Sequence, residues 1–274
     1  MQIEHILPAT LLREQKVRVL VVGAGGTGSA VVLQLPYLDQ AMRAWGHQGI
    51  DVTVIDGDTI SETNCVRQPF AVTDIGANKA ELLVSRINLF WGLAWKAVPE
   101  FFSADSLINS NHRCDILIGA VDTRAARKHI ATALARGTCP CTYFLDFGNN
   151  ASSGQYVLGQ PLNSVNRQKA DRLCTVIELF PEVADTSQGE DPLPSCSAAE
   201  ALDRQEPFVN QTLAVSALAM LARLFRYGRL THHGAFFNAA TGRMTSLPID
   251  PERWAKLRQQ NRKRAAARAL VVAA

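Results

Sequence analysis

The sequence predicts an α/β protein: a Rossmann-like, mostly parallel sheet with helices on both faces, continued by an antiparallel hairpin at the sheet edge. Three observations carry this. A β-branched run at 17–22 ends in a glycine-rich turn that opens a helix; strand-like apolar runs then alternate with helical stretches; and 47% apolar residues in 274 suffice for one large core. Such alternation implies right-handed βαβ units, which bring the C-terminal ends of the strands to one ligand-binding edge.

Taken in order, the first strand at 17–22 is flanked by charge and stopped by Gly23, and a helix begins near Gly26. Residues 51–55 read as the second strand, 77–90 as a helix, 95–101 and 115–119 as the third and fourth strands, 123–136 as a helix, and 142–147 as the fifth strand. Residues 155–158 continue the sheet. The stretch 162–205 carries Pro181, Pro192 and Pro194 and a polar run at 185–191, so it reads as a long, mobile crossover loop. A strong helix at 208–227 closes on Gly228 at a C′ position, and 235–240 with 243–247, joined by Thr241-Gly242, form the hairpin. Residues 1–250 make one domain and 251–274 a basic, helical tail.

Charge supports that division. The formal net charge is +3, but seven Lys/Arg after residue 250 face only Glu252, giving +6 there and −3 for residues 1–250. The tail's larger apolar residues are Trp254 and Leu257, so a solvated or partner-docked helix is expected, with nucleic acid the less favoured partner. The N-terminal residues lack a basic stretch followed by an apolar one, and no run nears the roughly 20 apolar residues of a membrane span, so a cytoplasmic protein without membrane contact is expected. Six scattered cysteines (65, 114, 139, 141, 174 and 196) are read as reduced thiols. His232 and His233, adjacent between helix and hairpin, are read as solvated rather than metal-binding.

The chemistry begins at Gly23, Gly25 and Gly28, a GxGxxG within the string GAGGTGS, placed after a strand and before a helix. Glycines there let the backbone approach phosphate at a helix N-terminus; a tight strand-to-helix turn is the plainer meaning. Asp56 ends the second strand, where a carboxylate can accept hydrogen bonds from both ribose hydroxyls. An NAD enzyme would use Asp56 in the same way. The stretch DGDTISETNCVRQPFAVTDIGANKAE, however, follows with Asn64, Arg67, Gln68 and Lys79, more phosphate donors than hydride transfer needs; the planar fork of Arg and the mobile charge of Lys together suit a triphosphate.

At these residues the chain resembles the ThiF/MoeB superfamily, which includes ubiquitin-activating enzymes. The resemblance rests on the glycine loop, Asp56 with Asp58, the group Asn64, Arg67 and Gln68, the run Asp74, Gly76 and Lys79, and Asp122 with Arg127; it covers residues 17–160, with weaker similarity through 208–227. It implies ATP and Mg²⁺ as cofactors. Asp56 would hold ribose, Gly23, Gly25, Gly26, Gly28, Asp58, Asn64, Arg67, Gln68 and Lys79 would surround the nucleotide, and Asp122 would bind Mg²⁺. Asp122 as a plain helix cap and Arg127 as a solvated helix residue are the competing readings.

The implied reaction is attack on the α-phosphate of ATP by the C-terminal carboxylate of a ubiquitin-like or sulfur-carrier protein, which releases pyrophosphate and leaves an acyl-adenylate. Arg67, Lys79 and Asp122 would serve catalysis, and the carboxylate, already ionised, needs no general base. Cys196, in PSCSAAEALDRQEPF, occupies the position where the family places a catalytic or sulfur-relay cysteine; thioester formation and a small buried thiol are its two readings. Cys174 is the lesser candidate. No paired CxxC motifs occur, so no zinc site is expected. Arg13, in ATLLREQ, is the only candidate for the family's N-terminal arginine, which reaches a partner subunit's ATP, and its surroundings do not match. The family further implies a homodimer. The string after Pro194 is similar to ThiF-like proteins of PRTRC cassettes, which implies a JAB-type peptidase as companion. Adenylation of a small-molecule, peptide or tRNA substrate, and a non-catalytic ATP-binding module, are the alternatives.

Overall fold

The computed structural model describes residues 3–12, 15–103, 114–135, 141–169, 171–188 and 206–272, with side chains of the last helix described through 264. Its centre is an eight-stranded sheet. In chain order the strands are β2 (Val17–Val22), β3 (Ile50–Ile55), β4 (Lys96–Val98), β5 (Ile116–Gly119), β6 (Tyr143–Asn149), β7 (Ser153–Gly159), β9 (His232–Asn238) and β10 (Arg243–Pro248), arranged β10-β9-β7-β6-β5-β2-β3-β4. The run β6-β5-β2-β3-β4 is parallel, and β7, β9 and β10 extend it antiparallel. A separate antiparallel pair joins β1 (His5–Ile6) to β8 (Arg229–Leu230).

The central strands have no solvent face. All four residues of β5 and five of six in β2 are buried, which is why they read as continuous apolar runs rather than alternating ones. Helices α1 (Gly26–Ala44), α2 (Lys79–Trp91), α3 (Arg124–Ala135), the single turn α4 (Val176–Leu179) and α5 (Val209–Tyr227) cover the sheet, and α1 packs along α5. Asp39 fixes the return from α1 into β3: its buried carboxylate accepts the Ile50 N–H at 2.7 Å and the Arg43 Nε–H at 2.8 Å. Gly228 closes α5 in the left-handed region, φ 69°, with its N–H on the Leu224 carbonyl, as the sequence predicts.

The structure departs from the sequence reading in three places. Of the expected crossover at 162–205, residues 170 and 189–205 lie outside the described residues, and the described remainder, 162–169 and 171–188, is not a loose loop. Asn163 and Asn166 are fully buried and donate to the carbonyls of Cys141 and Thr142, the buried Gln160 carboxamide accepts the Leu173 N–H, and Arg172 pairs with Glu178, so polar side chains bracket this segment to the body. The edge strand β9 begins at His232, ahead of the expected 235. His233 is therefore no solvated loop residue: it is fully buried, hydrogen-bonded through Nδ1 to the Leu158 carbonyl at 2.7 Å, with its ring edge-to-face on Trp254. Helix α6 (Pro251–Val272) is attached through Trp254, which is buried. No helix among the described residues is long and apolar enough to cross a membrane.

Candidate active site

The C-terminal edge of the parallel strands opens into a cleft of about 810 Å³, within the range of small-molecule sites. Its floor is the turn after β2. Gly23 has φ +95°, a conformation side chains rarely adopt, and Gly25 has open space where a Cβ would point, so a ligand can approach the backbone there. Gly28 does not line the cleft. A Cβ at Gly28 would strike the carbonyl oxygen of Gly23, so this glycine lets α1 pack against its own turn.

Asp56 sits at the tip of β3, only 9% exposed. One of its oxygens accepts the Ala24 N–H of the glycine turn at 2.5 Å and the other accepts the Asp58 N–H at 2.8 Å. Burial raises its carboxyl above the ordinary value, an effect that these two N–H donors and Lys79 oppose. The next turn is fastened by Asn78, the N-cap of α2, whose amide donates to the carbonyls of Asp56 (2.9 Å) and Asp58 (3.1 Å) while its oxygen accepts the Glu81 N–H. Lys79 follows as the first residue of α2. It is 6% exposed, and its Nζ donates to the Asp58 carboxylate at 3.0 Å.

The 3-10 turn at Glu62–Val66 carries Asn64, whose side-chain oxygen accepts the Ser61 N–H at 3.0 Å, and Arg67 and Gln68 follow it into the cleft wall. Asp122, exposed and three residues past the end of β5, lines the same cleft. The α3 N-terminus is capped by Thr123, which accepts the Ala126 N–H at 3.1 Å, so Asp122 does not serve as the cap. Its carboxylate takes no hydrogen bond among the described residues. Arg127 departs from the solvated reading: it is 7% exposed, on the inner face of α3, and donates to Asp146, Val121 and Phe147 beneath the cleft.

Thus Gly23, Gly25, Gly26, Asp56, Asp58, Asn64, Arg67, Gln68, Lys79 and Asp122 line one cleft. Cys196, Cys139 and Arg13 lie outside the described residues. Cys65, Cys114, Cys141 and Cys174 are free thiols; Cys174 is 2% exposed and burial pushes it up, which removes the conditions for a reactive thiolate. Among the described residues no group of three His, Cys, Asp or Glu could hold a metal.

Sequence reasoning missed the rest of the lining. Phe101 and Phe102 form one wall, with the Phe101 ring against Gly57, where any Cβ would meet it at 2.8 Å. Thr27, Asn149 and Asn210 form a hydrogen-bonded set in which Asn210 Oδ1 accepts from Thr27 Oγ1 (2.8 Å) and Asn149 Nδ2 (2.5 Å), joining α1, β6 and α5. His129 reaches the cleft from α3. The only local signal was the polar run Asn149-Asn150 at a strand end.

A glycine turn, a carboxylate one strand over and two cations lining the same cleft belong to an α/β protein of the doubly wound class. The chain belongs to the ThiF family, whose sequence profile matches residues 1–253. Among solved structures it is similar to PaaA (TM-score 0.58, 16% identity), to Escherichia coli MccB with ATP (0.57, 16%) and to Escherichia coli MccB with MccA-N7isoASN (0.54, 17%). Each comparison covers 85% of this chain and 64% of the other. The chain therefore spans about two-thirds of the length of those proteins, and at such identities the likeness shows the fold. No curated protein matches the sequence.

Proposed function

We propose that this protein is an ATP-dependent adenylyltransferase that activates the C-terminal carboxylate of a ubiquitin-like or sulfur-carrier protein. One observation carries the reading: the backbone of the glycine turn, Asp56, and the two cations Arg67 and Lys79 face a single cavity large enough for a nucleotide and an acceptor. In this reading Asp56 accepts the ribose hydroxyls, and the N–H groups at the start of α1 meet phosphate oxygens. Lys79, held on Asp58 at 3.0 Å, exchanges that carboxylate for phosphate when nucleotide arrives. Asp122, a hard oxygen donor with no other partner among the described residues, is the group that would hold Mg²⁺ against the phosphates. Bound there, the ion would supply charge neutralisation.

The carboxylate oxygen forms a bond to the α-phosphorus as the bond to pyrophosphate breaks. Negative charge gathers on the phosphate oxygens, and in this reading Arg67 and Lys79, once engaged by the nucleotide, stabilise it. No proton moves. Cys196 is the proposed acceptor if a thioester follows. A homodimer and a cytoplasmic setting accompany this reading.

A second acceptor class, a peptide carboxylate, is favoured by the likeness to MccB crystallised with MccA-N7isoASN. Exchange of labelled pyrophosphate into ATP tests both. Exchange that needs a folded carrier supports the first reading, and exchange driven by a free peptide supports the second. Lys79→Gln or Arg67→Gln is expected to lower exchange about 10²- to 10³-fold. Exchange at the native rate in both variants would refute the site.

A further inference from the structure

Helix α6 bears a charge that the cleft does not use. It holds to the body along a narrow strip: Trp254 is buried with its ring 4.9 Å from that of His233, Leu257 packs half-buried on the core, and Asn261 donates to the Leu179 carbonyl at 3.1 Å. Successive helical residues turn by about 100°, so these three positions fall within roughly 60° of one another. Arg253, Lys256, Arg258, Arg262, Lys263 and Arg264 spread over an arc of about 240° that takes up most of the remaining circumference. Arg258 is half-buried and the other five are exposed. None of the six makes a salt bridge among the described residues, and the sole acid on the helix is Glu252 at its first turn.

We propose that α6 is a binding surface for duplex DNA, seated in the major groove between two phosphate strands. From 253 to 264 the helix rises about 16 Å, or one cation for roughly every 3 Å, against a duplex that carries one negative charge per about 1.7 Å. The width of the charged arc favours a groove. A flat acidic protein surface would meet only one flank of such a helix, and it would find no exposed aromatic anchor of the sort that dominates protein interfaces. A bilayer surface needs an apolar strip, and among the described side chains of this helix the large apolar ones, Trp254 and Leu257, are turned to the core. Gln259 and Gln260, exposed amid the cations, can donate to and accept from base edges. The B-DNA major groove admits an α-helix whereas the A-form RNA groove is too narrow, so the duplex is DNA. None of these residues lines the cleft, so this surface stands apart from the proposed adenylation.

The test is fluorescence anisotropy of a labelled 20-base-pair DNA duplex titrated with the full chain. Binding at 50 mM salt is expected to weaken as salt rises, with a log–log slope of about −0.9 per phosphate engaged. The variant Arg253→Gln, Lys256→Gln, Lys263→Gln, Arg264→Gln should lose at least about 100-fold in affinity, with a slope shallower by about 3 to 4. It should keep the native thermal shift with ATP, which shows that it is folded. No anisotropy change at 50 mM salt, native affinity in the variant, or equal binding of an RNA duplex would overturn the proposal. So would tighter binding to polyglutamate of matched charge or to phosphatidylserine vesicles.

Discussion

Arg127 and Asp146 form the ion pair beneath the cleft. Arg127 Nε donates to Asp146 Oδ1 at 3.2 Å and its Nη2 donates to the carbonyls of Val121 and Phe147, two cleft-lining residues. Asp146 is fully buried, and its other oxygen has no hydrogen bond among the described residues. Burial outweighs the attraction of Arg127 and raises the carboxyl from 3.8 to about 6. Because the folded value lies above the unfolded one, the native state binds this proton more tightly. Stability from this group is whole below about pH 4 and declines as pH rises through about 6, by at most about 3 kcal/mol. Asp146→Asn removes that dependence. Urea unfolding of both proteins at pH 4.5 and pH 7 should show the variant gaining on the native protein at the higher pH. A difference that is the same at both values would mean that the carboxylate is ionised throughout and that Arg127 dominates.

At the scale of elements, Asn78 couples a helix start to a strand end. Its oxygen caps α2 and its amide holds the carbonyls of Asp56 and Asp58, so one side chain sets both Lys79 and the turn that carries the acidic pair. Asn78→Ala should cost about 1–2 kcal/mol. Asn78→Asp keeps the acceptor but loses the donors, so it should recover the cap in thermal melts while ATP affinity stays weakened. Equal ATP affinity in Asn78→Asp and the native protein would show that the turn needs no such tie. The glycine turn, α5 and the sheet-edge hairpin were legible because period and glycine placement are local. The pair β1–β8 was not, since two residues carry no period. His233 and the Asn163–Asn166 bracket misled for one reason: polar side chains read as exposed until tertiary contacts supply their partners. In the cleft, the residues of one contiguous stretch, Asp56 through Lys79, were readable together. Phe101, Asn149 and Asn210 come from segments that only the sheet brings alongside.

Across the whole molecule, the cleft draws its lining from the β2–α1 turn, the β3–α2 turn, the segment after β4, the α3 start, the end of β6 and the first turn of α5. The Thr27, Asn149 and Asn210 contacts already clamp three of these together. A ligand that meets these walls together binds only the folded arrangement, so its binding energy adds to folding stability. Mg-ATP at 100 times its dissociation constant should add about 2.7 kcal/mol. In a chain of this size that is a rise in Tm of about 5–10 °C. The same titration with NAD separates the two uses of a glycine turn and a strand-end carboxylate. NAD lacks the terminal phosphate of ATP, so it offers Arg67 and Lys79 fewer anionic oxygens. The ATP shift should therefore vanish in an Arg67→Gln, Lys79→Gln double variant whose Tm without nucleotide is unchanged within a few degrees. If NAD instead gives the larger shift and the double variant retains it, the cations at 67 and 79 do not serve the nucleotide and the cleft takes a dinucleotide.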